Sequence, residues 1–269
     1  MGARSLTPGL RYLLPACLFL SPGALAADPP LEPLVAAARR VQEADLEAWH
    51  RFRFRREVLR EKLDEGGNVT SREDLEFRIT PTGAGFDEQL VAIDGREPRA
   101  SQVREHRRRA RFTERYHEAL EGGKGSDDLS LFRLLYLGRQ RYAGREILDG
   151  VDCHRIEFSP SEEPGRKGGA AARIGRSMEG TLWVAVEGLH LHRARARLRE
   201  PVSLALGLAH LRELRIQLET VAVEEEVRLP GRIIVNTVAG FLGLTLRKRN
   251  TFTYDDYEPV AATGLTVGG

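Results

Sequence analysis

Cysteine is scarce in this sequence, and the scarcity excludes a good deal. Of 269 residues only Cys17 and Cys153 are cysteine, so no disulfide framework of the kind that staples small secreted domains is available. Cys-x-x-Cys is missing, as are Gly-x-Ser-x-Gly, His-Glu-x-x-His and a glycine-rich phosphate loop. With them go the best-marked routes to redox, hydrolase, zinc-peptidase and nucleotide chemistry. Lysine is nearly absent too: Lys62, Lys124, Lys167 and Lys248 are the only lysines among 41 basic residues, and the rest are arginine. No apolar run reaches the roughly 20 residues that cross a bilayer as a helix. No self-similar period of roughly 20–50 residues marks a repeat.

What is present begins with residues 1–27. Arg4 and Arg11 precede the apolar run Tyr12–Leu20, and Ser21-Pro-Gly-Ala-Leu-Ala26-Ala27 supplies small residues. That order predicts a secretory signal peptide and a periplasmic mature protein. Leu14-Pro-Ala-Cys17 is a loose lipoprotein-type acceptor, so a lipidated Cys17 is the alternative reading. Removing a leader with two arginines and no acid takes 41 basic residues to 39, against 39 acidic ones. The slight positive charge of the whole chain therefore belongs to the leader and gives no basis for nucleic-acid binding.

Asp28-Pro29-Pro30 breaks the chain, and Leu31–Ala48 then reads as an amphipathic helix with Leu31, Leu34, Val35, Ala38, Val41 and Leu46 at three- and four-residue steps. The period next changes to two. Phe52 and Phe54 alternate with arginines, Leu75, Phe77 and Ile79 alternate with charges, and Phe86–Ile93 ends at Asp94-Gly95, the mark of an antiparallel meander. Pro98–Glu121 reads as a polar helix whose segment from Arg96 has 8 arginines and 5 glutamates. Asp127–Leu137 reads as a short helix with Leu129, Phe132, Leu135 and Tyr136 on one side.

Strands resume at Tyr142–Leu148 and His154–Phe158, with a Gly- and Pro-rich loop at Glu162–Gly169. They continue as Thr181–Val186, Leu189–Leu198, Leu211–Val223, Arg232–Val238, Leu244–Thr253 and a short Tyr254–Tyr257. The prediction is a mainly β fold: a strongly curved antiparallel sheet of about ten strands, an unclosed half-barrel wrapped around the N-terminal helix and the helical insertion. It forms a single domain over residues 28–260 with a disordered tail at 261–269. A sheet of that many strands curls rather than staying flat.

Two segments carry a resemblance: Gly144-Arg-Glu-Ile-Leu-Asp-Gly150-Val-Asp-Cys-His-Arg-Ile-Glu-Phe-Ser-Pro160 and Gly180-Thr-Leu-Trp-Val184. With the order of elements around them, they resemble the periplasmic lipoprotein-carrier superfamily of LolA/LolB/RseB-type half-barrels, above all its distant members described as outer-membrane lipoprotein-sorting proteins. The resemblance spans Leu31 to Pro259. It implies a concave apolar cavity for acyl chains or an acylated partner.

Inward parity selects Phe52, Phe54, Leu75, Phe77, Ile156 and Phe158, with Trp183 on one face of its strand, as the ligand-binding set. The competing reading is an ordinary sheet–helix core. His190 and His192, two apart on a strand, share a face by parity with Ala194 and Ala196. His154 also falls inward, so three imidazoles could converge on a metal, unless a bulge at Glu187-Gly188 flips the parity. Arg193–Arg199 form an outward ladder opposite Glu213, Glu219 or Glu224–Glu226, and Cys153 alternates outward from His154. The basic run Arg104–Arg115 reads as a solvated face or a contact with anionic headgroups. Pro201–His210, apolar on both parities, reads as a lid or contact patch.

These readings point to a monomeric, non-enzymatic carrier or chaperone with no catalytic residue, metal or cofactor. Its partner would be a hydrophobic or acylated ligand, a lipoprotein or an envelope protein, with peripheral membrane contact. The alternatives are an envelope sensor of the same fold without lipid cargo, and a metal-dependent hydrolase using His154, His190 and His192.

Overall fold

The computed structural model describes residues 28–82, 85–108, 139–160, 170–204, 209–241 and 243–260. Helix α1 (Leu31–Trp49) is followed by strands β1 (Phe52–Leu63), β2 (Val69–Thr82) and β3 (Gly85–Ile93). Residues 100–108 are helical. Then come β4 (Arg139–Leu148), β5 (Val151–Ser159), helix α2 (Ala170–Arg176), β6 (Met178–Ala185), β7 (Leu191–Leu198), β8 (Val202–Leu204), β9 (Ala209–Glu224), β10 (Val227–Phe241) and β11 (Leu244–Pro259). The expected leader, the Asp127–Leu137 helix, the Glu162–Gly169 loop and the tail at 261–269 lie outside the described residues, as does the second half of the Pro98–Glu121 helix.

All pairings are antiparallel, and the strand order is β3-β2-β1-β11-β10-β9-β7-β6-β5-β4, with β8 on the side of β9. The two ends of this order do not meet, so the sheet is unclosed, as the alternation of the sequence predicts. Tight turns set the register: Asp94-Gly95 and Asp149-Gly150 both have positive φ at each residue, the backbone that two-residue hairpins require.

The late meander is longer than predicted. Leu244–Thr253 and Tyr254–Tyr257 are one strand, which continues through Asp256 in the left-handed region (φ 51). Likewise β10 starts at Val227, five residues before the expected Arg232. Pro230, with no N–H to donate, sits at a register shift between Pro230 and Arg232, the one kind of place where a central strand tolerates proline. Pro201–His210 contains the short strand β8, whose Val202 is buried against Leu211.

The core explains why the sheet curves. Leu34, Val35 and Ala38 of α1 are buried in one cluster with Ile156, Phe158, Leu182, Val184, Ala194, Ile216 and Leu218. The other end of the same helix puts Ala48 against Phe52, Val227 and Leu229, and Trp49 against Phe54 and Phe86. A 19-residue helix is about 28 Å long, and both halves of the sheet bend onto it. No helix among the described residues is long and apolar enough to cross a membrane.

Candidate functional site on the concave face

The concave face has three zones. Its floor carries six of the seven residues expected to meet a ligand. Phe52, Phe54, Leu75, Phe77, Ile156 and Phe158 are each at most 4% exposed, and they distribute over three apolar clusters under or beside α1. Trp183 does not join them. Leu182 and Val184 take the inward positions of β6, so Trp183 stands on the opposite face. There its Nε1–H donates to Glu146 Oε2 at 3.0 Å and its ring lies under the Arg195 guanidinium.

Around the C-terminal end of α1 the floor is aromatic. Trp49, Phe54, Phe86 and Tyr254 have ring centroids 5.6–6.0 Å apart, and Phe54 also packs on Tyr257 at 5.1 Å. Burial pushes the Tyr254 phenol up to about 12. The Tyr257 hydroxyl, also raised by burial, donates to the Pro230 carbonyl at 2.7 Å.

A polar anchor interrupts the apolar stripe of α1. Gln42 and Asp45 are buried. Asp45 Oδ2 lies 2.9 Å from His190 Nδ1, and Asp45 Oδ1 accepts the Arg228 backbone N–H at 3.1 Å. Burial raises the Asp45 pKa, and these hydrogen bonds oppose the rise. Among the described residues the Gln42 amide meets no hydrogen-bond partner.

The third zone lies toward β1–β3 and the distal end of β9–β11. Arg56 points inward between Phe54 and Val58. It stacks on Phe77 at 4.8 Å and forms a two-pronged pair with Glu88 at 2.9 and 2.7 Å. Arg60 meets Glu73 at 3.3 Å, and His106 from the 100–108 helix packs over Phe77 at 5.0 Å. Beyond α1 the inward row continues as Val235, Thr237 and Ala239 on β10, paired with Asn250, Lys248 and Leu246 on β11. Here Leu246 is 44% and Leu244 75% exposed, so apolar concave surface reaches solvent.

The histidines do not converge. His154 Nδ1 lies 3.2 Å from the Tyr142 hydroxyl, His190 faces Asp45, and His192 Nε2 is 3.7 Å from Asp149. Parity fails because β7 bulges. Trp183 pairs with Arg193 but Val184 with Leu191, so Leu191 and Ala194 both face the core and His192 is displaced. The bulge sits at His192-Arg193, not at Glu187-Gly188. Among the described residues no three His, Cys, Asp or Glu side chains are grouped to hold a metal. Cys153 has outward parity but is fully buried in the row Glu146–Cys153–Ala185. Desolvation pushes its thiol up to about 11, so it is a poor nucleophile.

Sequence reasoning missed Asp45, Gln42 and Arg56. The available signal was position: all three occupy steps that an uninterrupted apolar stripe would fill.

Burial lowers the pKa of His106, His154 and His192 below the ordinary 6.5, with Arg60, Arg145 and Arg228 respectively as the next cause. The unfolded chain therefore binds more protons than the folded one as pH falls through this range. Their contribution is complete above about pH 6.5 and is lost below it, whereas Asp45, with its raised pKa, acts with the opposite sign. Urea midpoints should fall between pH 7.5 and 5.5, and each His→Gln variant should flatten the slope. A flat wild-type profile would contradict the assignment.

No family model matches the chain, and no curated protein matches it significantly. Solved structures do. A DUF1329 family protein from Desulfovibrio piger is 12% identical with a TM-score of 0.38, over 88% of this chain and 96% of that one. A LolA superfamily protein from Nitrosomonas europaea is 10% identical with a TM-score of 0.30, over 83% and 94%. A domain from Vibrio parahaemolyticus described as an outer membrane lipoprotein-sorting protein is 10% identical with a TM-score of 0.36, over 85% and 93%.

Proposed function

We propose that the protein is a non-enzymatic carrier or chaperone of the cell envelope that holds a hydrophobic or acylated ligand on the concave face of its sheet. One observation carries this reading: apolar inward positions run on from the core through half-buried Val235 and Ala239 to exposed Leu246 and Leu244, interspersed with Thr237, Asn250 and Lys248. An acyl chain laid on that strip would gain about 0.8 kcal/mol for each CH₂ it buries. It would be continuous with Phe52, Phe54, Leu75, Phe77, Ile156 and Phe158. Displacement of α1 would extend the groove over those residues, so the helix is both plug and gate. Export through a leader at 1–27 belongs to the same proposal.

The test is titration with a fluorescent C16 fatty acid. Saturable binding near one per chain is expected, and Leu246→Glu with Val235→Glu should weaken it at least tenfold while thermal unfolding stays cooperative. Binding that ignores both substitutions would refute the strip as the site. A second reading, an interaction module without lipid cargo, is favoured by one observation: the six floor residues are sealed by α1 and its aromatic end. Failure of any acyl probe to bind would select it.

A further inference from the structure

The concave face carries one row of side chains that a hydrocarbon chain alone does not use. Lysine is scarce in this protein, four residues in 269, yet Lys62 of β1 and Lys248 of β11 are direct cross-strand partners. Such partners put their side chains on the same face of the sheet, about 5 Å apart. No register shift separates Lys62 from the buried Val58, or Lys248 from Phe252, which packs against the core. Alternation from those two anchors turns both lysines to the concave side. The ladder extends the row to Ser71 on β2, and to Thr237 and Leu214 on β10 and β9. It reads Ser71–Lys62–Lys248–Thr237–Leu214: two ammoniums between two hydroxyls, with an apolar end that packs on the core through Leu214.

Like charges directly opposite one another destabilise a sheet, and elsewhere this sheet sets acids beside them. Arg197 faces Arg215, and Glu179 and Glu213 pair with them at 2.6 and 3.4 Å. Arg55 faces Arg78, and Asp255 takes Arg55 at 2.7 Å. The acids that adjoin the lysine row are engaged elsewhere. Glu73 is held by Arg60 at 3.3 Å, and Asp64 accepts the Asn68 N–H at 2.8 Å. Glu61 alternates to the other face and pairs with Arg249 at 3.4 Å. Among the described residues neither ammonium has an ion-pair partner.

We infer, on the carrier reading proposed above, that the acyl ligand of the concave face ends in a phosphate head and that this row holds it. Lysine binds phosphate as a point charge. The oxygens of a phosphate diverge, so one group accepts from both ammoniums and a flanking hydroxyl at once. Lysine stems lie along apolar surface while their charged ends stay wet, and Thr237 stands between Val235 and Ala239 on β10. The head is thereby fixed on the β1–β11 side, and the chain runs over Leu214, Val235 and Ala239. A neutral ester would leave both ammoniums facing each other; a phosphate removes the conflict that the register creates.

The experiment is fluorescence titration of the full protein with three probes that share one labelled acyl chain: a lysophosphatidic acid, the fatty acid and the neutral monoacylglycerol, each below its micelle concentration. The phosphate probe is expected to bind at least tenfold tighter than the neutral one. Lys62→Gln with Lys248→Gln should remove that difference, with the neutral probe's affinity unchanged and cooperative melting retained. Added salt should weaken the phosphate probe and spare the neutral one. Equal affinity for the phosphate and neutral probes, a fatty acid as tight as the phosphate probe, or indifference to the lysine substitutions would overturn the inference and leave the carrier reading standing. Complete displacement by an equal concentration of inorganic phosphate, or no binding by any of the three probes, would overturn both.

Discussion

Asp45→Ala is expected to destabilise the protein by about 3–4 kcal/mol, the range for removing one partner of a buried pair. In a domain of this size that lowers the melting temperature by about 10 °C. The magnitude follows from what is left behind. Asp45 and His190 have side chains only 8% and 12% exposed, and the same carboxylate satisfies the Arg228 N–H at the start of β10. Its loss leaves an imidazole and an amide without partners and unties the C-terminal part of α1 from the sheet. The exposed pair Arg53–Glu258, by contrast, has both side chains more than half exposed. Glu258→Gln should therefore change stability by less than about 1 kcal/mol. A double-mutant cycle between Asp45→Ala and His190→Ala in urea separates pair from packing. A coupling below about 0.5 kcal/mol would show that the pair is incidental.

Gly180→Ala is expected to cost about 2–3 kcal/mol, a large effect for one methyl group. A Cβ on Gly180 would stand 2.0 Å from the Arg195 carbonyl oxygen and 2.9 Å from the Ala196 Cα. Those are backbone atoms of β7, which cannot swing aside as a side-chain end does. Relief requires β6 and β7 to separate, with loss of ladder hydrogen bonds and of the packing of Ile156, Leu182 and Ala194 beneath them. Gly67 makes the contrast. It has open space around its Cβ position, so an alanine there meets only the strain of its positive φ, about 1 kcal/mol. Equal destabilisation by the two substitutions would contradict the close approach of β6 and β7.

The fold was largely legible because its two periods are clean. The stripe from Leu31 to Ala48 and the alternations at Phe52, Leu75 and Ile156 each mark one buried face, and Asp-Gly pairs mark the hairpins. Errors arose where the backbone leaves the strict period of two. The bulge at His192-Arg193 inverted the expected parity of His192, and Pro230-Gly231 hid the first residues of β10, because a central proline ordinarily argues against a strand. Trp183 joins the ligand-binding set only as an aromatic on one face of its strand, and that strand gives the interior positions to Leu182 and Val184. The site was half legible. Aromatic and aliphatic residues of inward parity identify the floor, but what covers a floor is a tertiary fact. Asp45 and Arg56 are recognisable only once His190 and Glu88, distant in sequence, are seen beside them.

The central claim is that an acyl chain occupies the concave face. Native mass spectrometry of protein isolated from its own envelope, in a detergent-free buffer, tests it most directly. The account predicts an added mass that fragments as a lipid or an acylated polypeptide, and loss of that mass in the Val235→Glu, Leu246→Glu protein. A spectrum of the bare chain alone, or an adduct that survives both substitutions unchanged, would contradict it.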